Sequence, residues 1–507
     1  MNQLRAYLRP ETCIFIVLWL GFLAVGRTQL FRDPGTYWHI VVGERILDTG
    51  RFPEVDEFSF TCTNQPWLAT NWLGEIAMAG VNRWLGFDGL LLMLATMLAA
   101  LYAWAAHRLI RVGLHWSLAV VLIALALAAS VHNWHVRPHM ATLFALALTY
   151  GLLLDVDSQR RSVPWLLWLP ALFLLWANAH GGVLGGLATL ITVLTGWIAE
   201  RFLGGSSPLK EPKHFLTCGA VLALCCASLL LNPYLHRTLL LWLDILGFDL
   251  PDIIQEHRPL NPGELSGMGI LAFGLVFILV LIGVLPQWPR IAWLVPLLWL
   301  SQAWARNRHG PLFAITALLA IAEIMPHTRW AAYLTRKGSD WFQPPAEPTR
   351  LGLRPLLLPL VLVMTALLMQ STRLQVPLLG HGWVKEDSLR WPVDLMPELE
   401  RLSKTSEQPV PIFNDMLYGG YVIYHLPQMR VFVDDRCELY GNQSLHDYAE
   451  AERSQPERLS EWQKRWGFKL VLTENGSQFD RYLQGREEWK ELRRGASAVL
   501  YQYGGPR

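Results

Sequence analysis

Apolar positions in this chain fall into long uninterrupted runs, without the period-2 or period-3.6 alternation of half-buried soluble elements. Such windows recur at 12–29, 87–107, 116–132, 139–155, 163–179, 182–200, 215–232, 267–285, 290–304, 311–326 and 354–371, each near the length that crosses a bilayer. They predict about 11 transmembrane helices. The residues NAHGG at 178–182 are all that parts two of the windows, and they read either as a tight turn or as an interruption in one bent helix. The first run follows Arg5 and Arg9 and ends in the small residues Ala24 and Gly26, as a signal peptide does. With roughly 18 residues of usable span, it is expected to stay as a helix.

From residue 372 the pattern becomes that of a soluble domain. Short β-type runs at 411–413, 430–434, 468–473 and 496–503 alternate with helical patterns at 396–403, 447–466 and around 479–483, which predicts a small α/β domain. The Pro-rich run 344–348 reads as a linker. The expected fold class is thus an all-α polytopic membrane protein with a C-terminal α/β domain, divided into 1–371 and 372–507.

Charge then orients the helices. With the N-terminus inside, every inner loop is basic: Arg108 and Arg111, Arg160 and Arg161, Arg201 with Lys210 and Lys213, Arg290, and Arg329 through Arg354. The positive-inside bias therefore predicts an N-in/C-out chain with its tail external. Composition agrees: of 507 residues, 52% are hydrophobic and 17% charged, with 24 Trp, and the mean hydropathy is +0.26. The net charge of +2 gives no reason to expect nucleic acid as a partner. Cys62 and Cys437 fall on the same predicted face, where a disulfide is open to them.

The loop at 28–86 is polar between two apolar runs, and its stretch 31–61 gathers Asp33, Asp56, His39, Tyr37 and Trp38. Asp33 reads either as a catalytic carboxylate at the membrane boundary or as an N-cap. Asp56 reads as a second candidate or as a turn residue after Pro53. Asp33 leads, because it lies closest to the membrane end of the first helix. A two-carboxylate site would need Asp56 or Glu75 to fold back toward it.

Later external connections add Arg137 with His132, His135 and His139; Asn178 and His180; Glu256 and Arg258; and Arg306, Arg308 and His309. Arginine in a short external loop opposes the positive-inside bias, and its planar fork suits a phosphate. Moving a sugar from a lipid phosphate to a hydroxyl needs a base, cations for the leaving phosphate and a groove for the lipid. No cofactor is fixed by the sequence. Histidines near Asp33 and Asp56 raise the question of a divalent metal, Mg or Mn, although the 132, 135 and 139 spacing matches no standard ligand motif.

The segments DPGTYWH (33–39), FPEVDEFSFT (52–61), NWLGE (71–75), RPH (137–139), WANAHGG (176–182), QEHRP (255–259), RNRHGPLF (306–313), LYGGY (417–421) and VDDR (433–436) together resemble the membrane glycosyltransferases of the C-type superfamily. They are most similar to the bacterial branch related to lipid-A-core and dolichyl-phosphate-mannose-type transferases. The resemblance implies an inverting transfer from a polyprenyl-phosphate sugar donor to a glycan, lipid or protein acceptor outside a bacterial inner membrane. It makes Asp33 the base. Tyr37, Trp38, His39, Glu75, Arg137, His139, Asn178, His180, Glu256, Arg258, Arg306, Arg308 and His309 are then expected around donor and acceptor. The chain departs from the family's adjacent acidic pair, since Pro34 follows Asp33. The motif Asp434, Asp435, Arg436 is expected to hold the tail together or dock it, with a role at the acceptor as the alternative, and residues 418–421 are too short for a phosphate loop.

Two other classes compete. A flippase or transporter would place ionisable residues at mid-bilayer and break helices in both halves, whereas Glu323 is the exception here and lies near an inner helix end. A glycan ligase would share the external arginines but carry a large loop between late helices.

Overall fold

The computed structural model describes residues 7–248, 258–344 and 354–505. Glu256, the neighbouring Asp249, Asp252 and His257, and most of the 344–348 linker lie outside the described residues. Seven helices in it are long and apolar enough to cross a membrane: Pro10–Gln29, Trp72–Arg111, Met140–Asp157, Val183–Phe202, Leu265–Ile282, Asn307–His327 and Arg354–Ser371. Shorter apolar helices occupy Trp116–Ala128, Val163–Ala179, Pro212–Ser228 and Ile291–Ala305. Every apolar window of the sequence is therefore helical, as it must be where no water satisfies the backbone. Between Ala179 and Val183 the chain makes a turn with His180 extended, so 163–202 forms two helices and not one bent helix.

The helix Trp72–Arg111 is 40 residues long and broken at Gly86, whose φ of 65° and ψ of −159° only glycine adopts without strain. The break separates a more polar N-terminal arm from the apolar part that the sequence window covers. Trp19 on the first helix donates its indole N–H to Thr96 at 2.9 Å and ties the two together. At the opposite end, Arg108 meets Asp155 at 2.9 Å and Glu323 at 2.8 Å, Arg160 joins the same carboxylates, and Arg290 meets Asp157 at 2.7 Å. Glu323 is thus a paired group at a helix end.

Beyond 372 the chain builds a five-stranded sheet in the order β2-β1-β3-β5-β4. The strands are β1 (Val410–Asn414), β2 (Met429–Val431), β3 (Leu470–Glu474), β4 (Trp489–Arg494) and β5 (Ala498–Tyr503). β2, β1 and β3 run parallel, with Ile412 opposite both Val431 and Leu470, while β5 and β4 are antiparallel. β1, β3 and β5 are nearly continuous in buried residues, as expected of strands covered on both faces.

The first loop extends this sheet. Val431 donates to Phe58 O at 3.0 Å, and Phe60 donates to Val431 O at 3.1 Å, so residues 58–60 pair along the free edge of β2. The helix Met416–His425 then crosses the first-loop helix Gly35–Thr49. A Cβ on Gly420 would run into the carbonyl of Pro34, so the glycine pair at 419–420 serves close packing and not phosphate binding. Tyr37 is fully buried there, edge-on to Tyr421 at 5.2 Å and Trp391 at 5.1 Å between ring centroids. Cys62 and Cys437 are both free thiols.

Candidate functional site

Asp33 sits where the chain leaves the first helix and enters the helix Gly35–Thr49. One carboxylate oxygen accepts the Gly35 N–H at 2.7 Å. The other accepts from Arg137 at 3.0 Å. Asp33 therefore turns the backbone into a helix whose N-cap position is Pro34, and also faces a guanidinium. Burial alone would raise its carboxyl, but Arg137, His135, His139 and the Gly35 amide outweigh it and hold Asp33 below its ordinary value. It is ionised at neutral pH.

The second arm of Arg137 points at the tail, with Asp435 at 3.5 Å. The other oxygen of Asp435 accepts the Trp38 indole N–H at 2.7 Å. Burial pushes the Asp435 carboxyl up to about 7, opposed by Arg137 and reinforced by Asp33 and Asp434. Two carboxylates, one from the first loop and one from the tail, thus share a single arginine.

Imidazoles surround this pair. His39 Nδ1 lies 2.8 Å from Glu75, both side chains buried, and the Trp38 ring covers it at 3.6 Å. Burial, then Arg137, His180 and His139, hold His39 well below its usual value, so it is neutral. His180 is depressed in the same way, by burial and then by His139, Arg308 and Arg137. The Trp176 indole donates to Thr142 Oγ1, and Gly182 N donates to His180 Nδ1. Thr142 Oγ1 lies 2.9 Å from that nitrogen, so its hydroxyl proton points there and His180 carries its own proton on Nε2. His139 Nε2 faces Asn133 O at 2.9 Å, and its ring lies 6.3 Å from that of His180. Asn178 accepts from the Trp72 indole and donates to Leu174 O and Leu231 O, which spends its amide on holding the loop.

Asp56 lies apart from this cluster. It forms an ion pair with Arg436 at 2.8 Å, both side chains fully buried, and accepts from Phe58 N, Ser59 N and Ser59 Oγ. Arg436 also grips Asp434 through two hydrogen bonds, at 2.9 Å and 2.7 Å, and stacks over Phe58 and Trp67. The geometry is that of a lock between loop and tail, and it leaves Asp56 no open lone pair for a substrate proton. Tyr37, expected to line a substrate, is core between the loop and tail helices. Arg258 is exposed, and its carbonyl accepts Asn307 N. Arg306 and His309 are partly buried, with His309 Nδ1 3.2 Å from Gln302 O. Among the described residues no three His, Cys, Asp or Glu side chains are arranged to hold a metal ion. Asp33 and Asp435 converge on the Arg137 guanidinium. Asp435 stands outside the site residues expected from the sequence, where its acidic pair after a β-type run points first to holding or docking the tail and second to the acceptor.

Fold and site together define a multi-pass membrane protein whose first loop and C-terminal part close over a buried carboxylate and arginine cluster. Its fold is similar to that of a solved membrane oligosaccharyltransferase. The oligosaccharyltransferase of Archaeoglobus fulgidus in the apo form superposes with a TM-score of 0.53 at 10% identity, over 92% of this chain and 69% of that one. The same enzyme tethered by a disulfide to an acceptor peptide containing the NVT sequon gives 0.51 at 12% identity, over 92% and 69%. ArnT from Cupriavidus metallidurans in the apo state gives 0.49 at 14% identity, over 97% and 96%. At these identities the likeness is one of fold alone. No family model and no curated protein sequence matches the chain.

Proposed function

We propose that this chain is an inverting glycosyltransferase of a bacterial inner membrane, moving a sugar from a polyprenyl-phosphate donor to a glycan, lipid or protein acceptor on the external face. In this reading the eleven apolar helices span the bilayer with the N-terminus inside, and residues 372–507 form a periplasmic domain. The observation that carries it is the Asp33–Arg137 pair at 3.0 Å, which joins the loop between the first two long apolar helices to the segment before helix Met140–Asp157, with neutral His39 and His180 nearby. The fold shared with an oligosaccharyltransferase supports the class.

The chemistry follows from the charges. Asp33 is ionised, as a base must be before it acts, and the Gly35 amide fixes its direction. Arg137 would bind the donor phosphate and stabilise the charge that builds on it as the glycosidic bond breaks. An anion on Arg137 draws the guanidinium away from Asp33, which raises the carboxylate's basicity as the acceptor hydroxyl must lose its proton. Arg308, close enough to His180 to depress it, extends the cationic side. Asp56 serves to hold loop and tail together.

The test is Asp33→Asn in nanodiscs supplied with polyprenyl-phosphate sugars. Transfer is expected to fall by roughly 10²–10⁴-fold, the usual worth of a general base, with circular dichroism unchanged. Undiminished transfer by a folded variant removes Asp33 from the base role.

A further inference from the structure

The tail reaches into the cluster with one residue that stands outside the Asp434–Arg436–Asp56 lock. Asp434 and Arg436 are spent on each other and on Asp56. Asp435, between them, turns the other way. One oxygen is fixed by the Trp38 indole, while Oδ2 faces Arg137 at 3.5 Å, is buried and has no hydrogen-bond donor. The same guanidinium holds Asp33 at the shorter distance of 3.0 Å. One cation therefore serves two buried carboxylates, and the tail carboxylate has the weaker claim.

The charges facing Asp435 are few. From the first loop comes Asp33, with His135 and His139 acting on it, from the segment before helix Met140–Asp157 comes Arg137, and from its own segment come Asp434, already paired with Arg436, and the buried Cys437 thiol, which donates to the Asp435 carbonyl. The Trp38 indole is neutral. If an anion docks on Arg137, it competes for the arm that Asp435 holds and adds negative charge beside it, and the least costly response is for Asp435 to become neutral.

Resting on the reading of Arg137 as the phosphate-binding residue, we propose that Asp435 is a tail-borne positioning residue that takes up one proton from solvent when a phosphate docks on Arg137, releasing the guanidinium from the tail while Asp33 stays ionised. Departure of the phosphate returns the proton. The tail is thereby part of the phosphate site, and anion binding is linked to pH through a residue some four hundred positions from the first loop.

The sign follows from the resting state. Burial pushes the Asp435 carboxyl up to about 7, so above that pH it is a carboxylate that must be protonated on binding, and below it the proton is already present. Phosphate affinity is expected to weaken about tenfold from pH 6 to pH 8. The probe is dioctyl phosphate, a diester whose single charge does not change over this range. Binding to the full-length protein in nanodiscs is measured by calorimetry in buffers of different ionisation enthalpy. Wild type is expected to take up close to one proton at pH 8 and almost none at pH 6, and Asp435→Asn to bind with no uptake and a flat pH profile. If wild type binds the probe without proton uptake, the inference fails while the phosphate site stands. If Asp435→Asn still takes up the proton, another group carries it and the inference fails. If Arg137→Gln binds as tightly as wild type, or wild type does not bind at all, the phosphate site itself falls and the inference with it. Should Asp435→Asn not fold, the wild-type uptake alone decides.

Discussion

Arg436 and Asp56 meet at 2.8 Å with neither side chain exposed to solvent, 380 positions apart in sequence. A buried pair of this kind contributes little over a matched apolar pair, but removing one partner strands the other. Asp56→Ala and Arg436→Met are therefore each expected to destabilise the protein by about 3–5 kcal/mol. Thermal unfolding in detergent will show this, and activity should fall with the folded fraction. An Asp56→Ala protein that melts like wild type yet has lost transfer would instead make Asp56 catalytic.

Gly420 tests the same interface without charge. Its Cα lies against the Pro34 carbonyl, where an added Cβ has no room, and neither atom is at the end of a flexible side chain. Gly420→Ala should cost about 1–3 kcal/mol, the usual penalty of overpacking. Limited proteolysis between the membrane part and the sheet should speed up, while Gly50→Ala, where a Cβ meets open space but φ is +65°, should show only its local backbone cost.

What the sequence made legible follows from range. The apolar windows became helices because a bilayer-length run needs no distant partner to be read, and the Asp33 turn and the strands β1, β3 and β5 rest on local pattern. The outer arm of Trp72–Arg111 was missed because its break needs the Gly86 φ. Met416–His425 was missed because two glycines hide a helix that tertiary packing enforces. β4, with the charged residues WKELRR, is an edge strand without the apolar alternation that marks a half-buried one. The grouping of Asp33, Arg137 and Asp435 joins three distant segments, and no local signal carries it.

Arg308 and Arg258 are not equivalent. Arg308 is close enough to His180 to add to the burial and the His139 charge that depress it, whereas Arg258 is exposed. Arg308→Gln is expected to weaken binding of a phosphodiester lipid about tenfold or more, the worth of a hydrogen bond to a charged group of roughly 1.5–3 kcal/mol. Arg258→Gln should change it less than twofold. Equal losses at both positions would mean that the cationic face acts only through its summed field.

The tail carries a pH dependence of its own, opposite in sign to that of Asp33. Asp415 follows β1, is buried, accepts from Thr473 Oγ1 and Glu474 N through one oxygen, and has no donor for the other. Burial pushes its carboxyl up to about 8, with Glu452 adding to the effect. Below its ordinary value, 3.8, the group is protonated folded or unfolded and costs nothing. As pH rises toward 8 the unfolded chain releases the proton while the folded tail retains it, so stability falls across that window and levels off above it. Asp415→Asn keeps the shape without the charge. It should therefore stabilise the tail at pH 8 by about 2 kcal/mol or more and leave it unchanged near pH 4, as urea unfolding followed by Trp fluorescence can measure. A variant that destabilises equally at both pH values would show that the carboxylate is ionised and bonded in the folded tail.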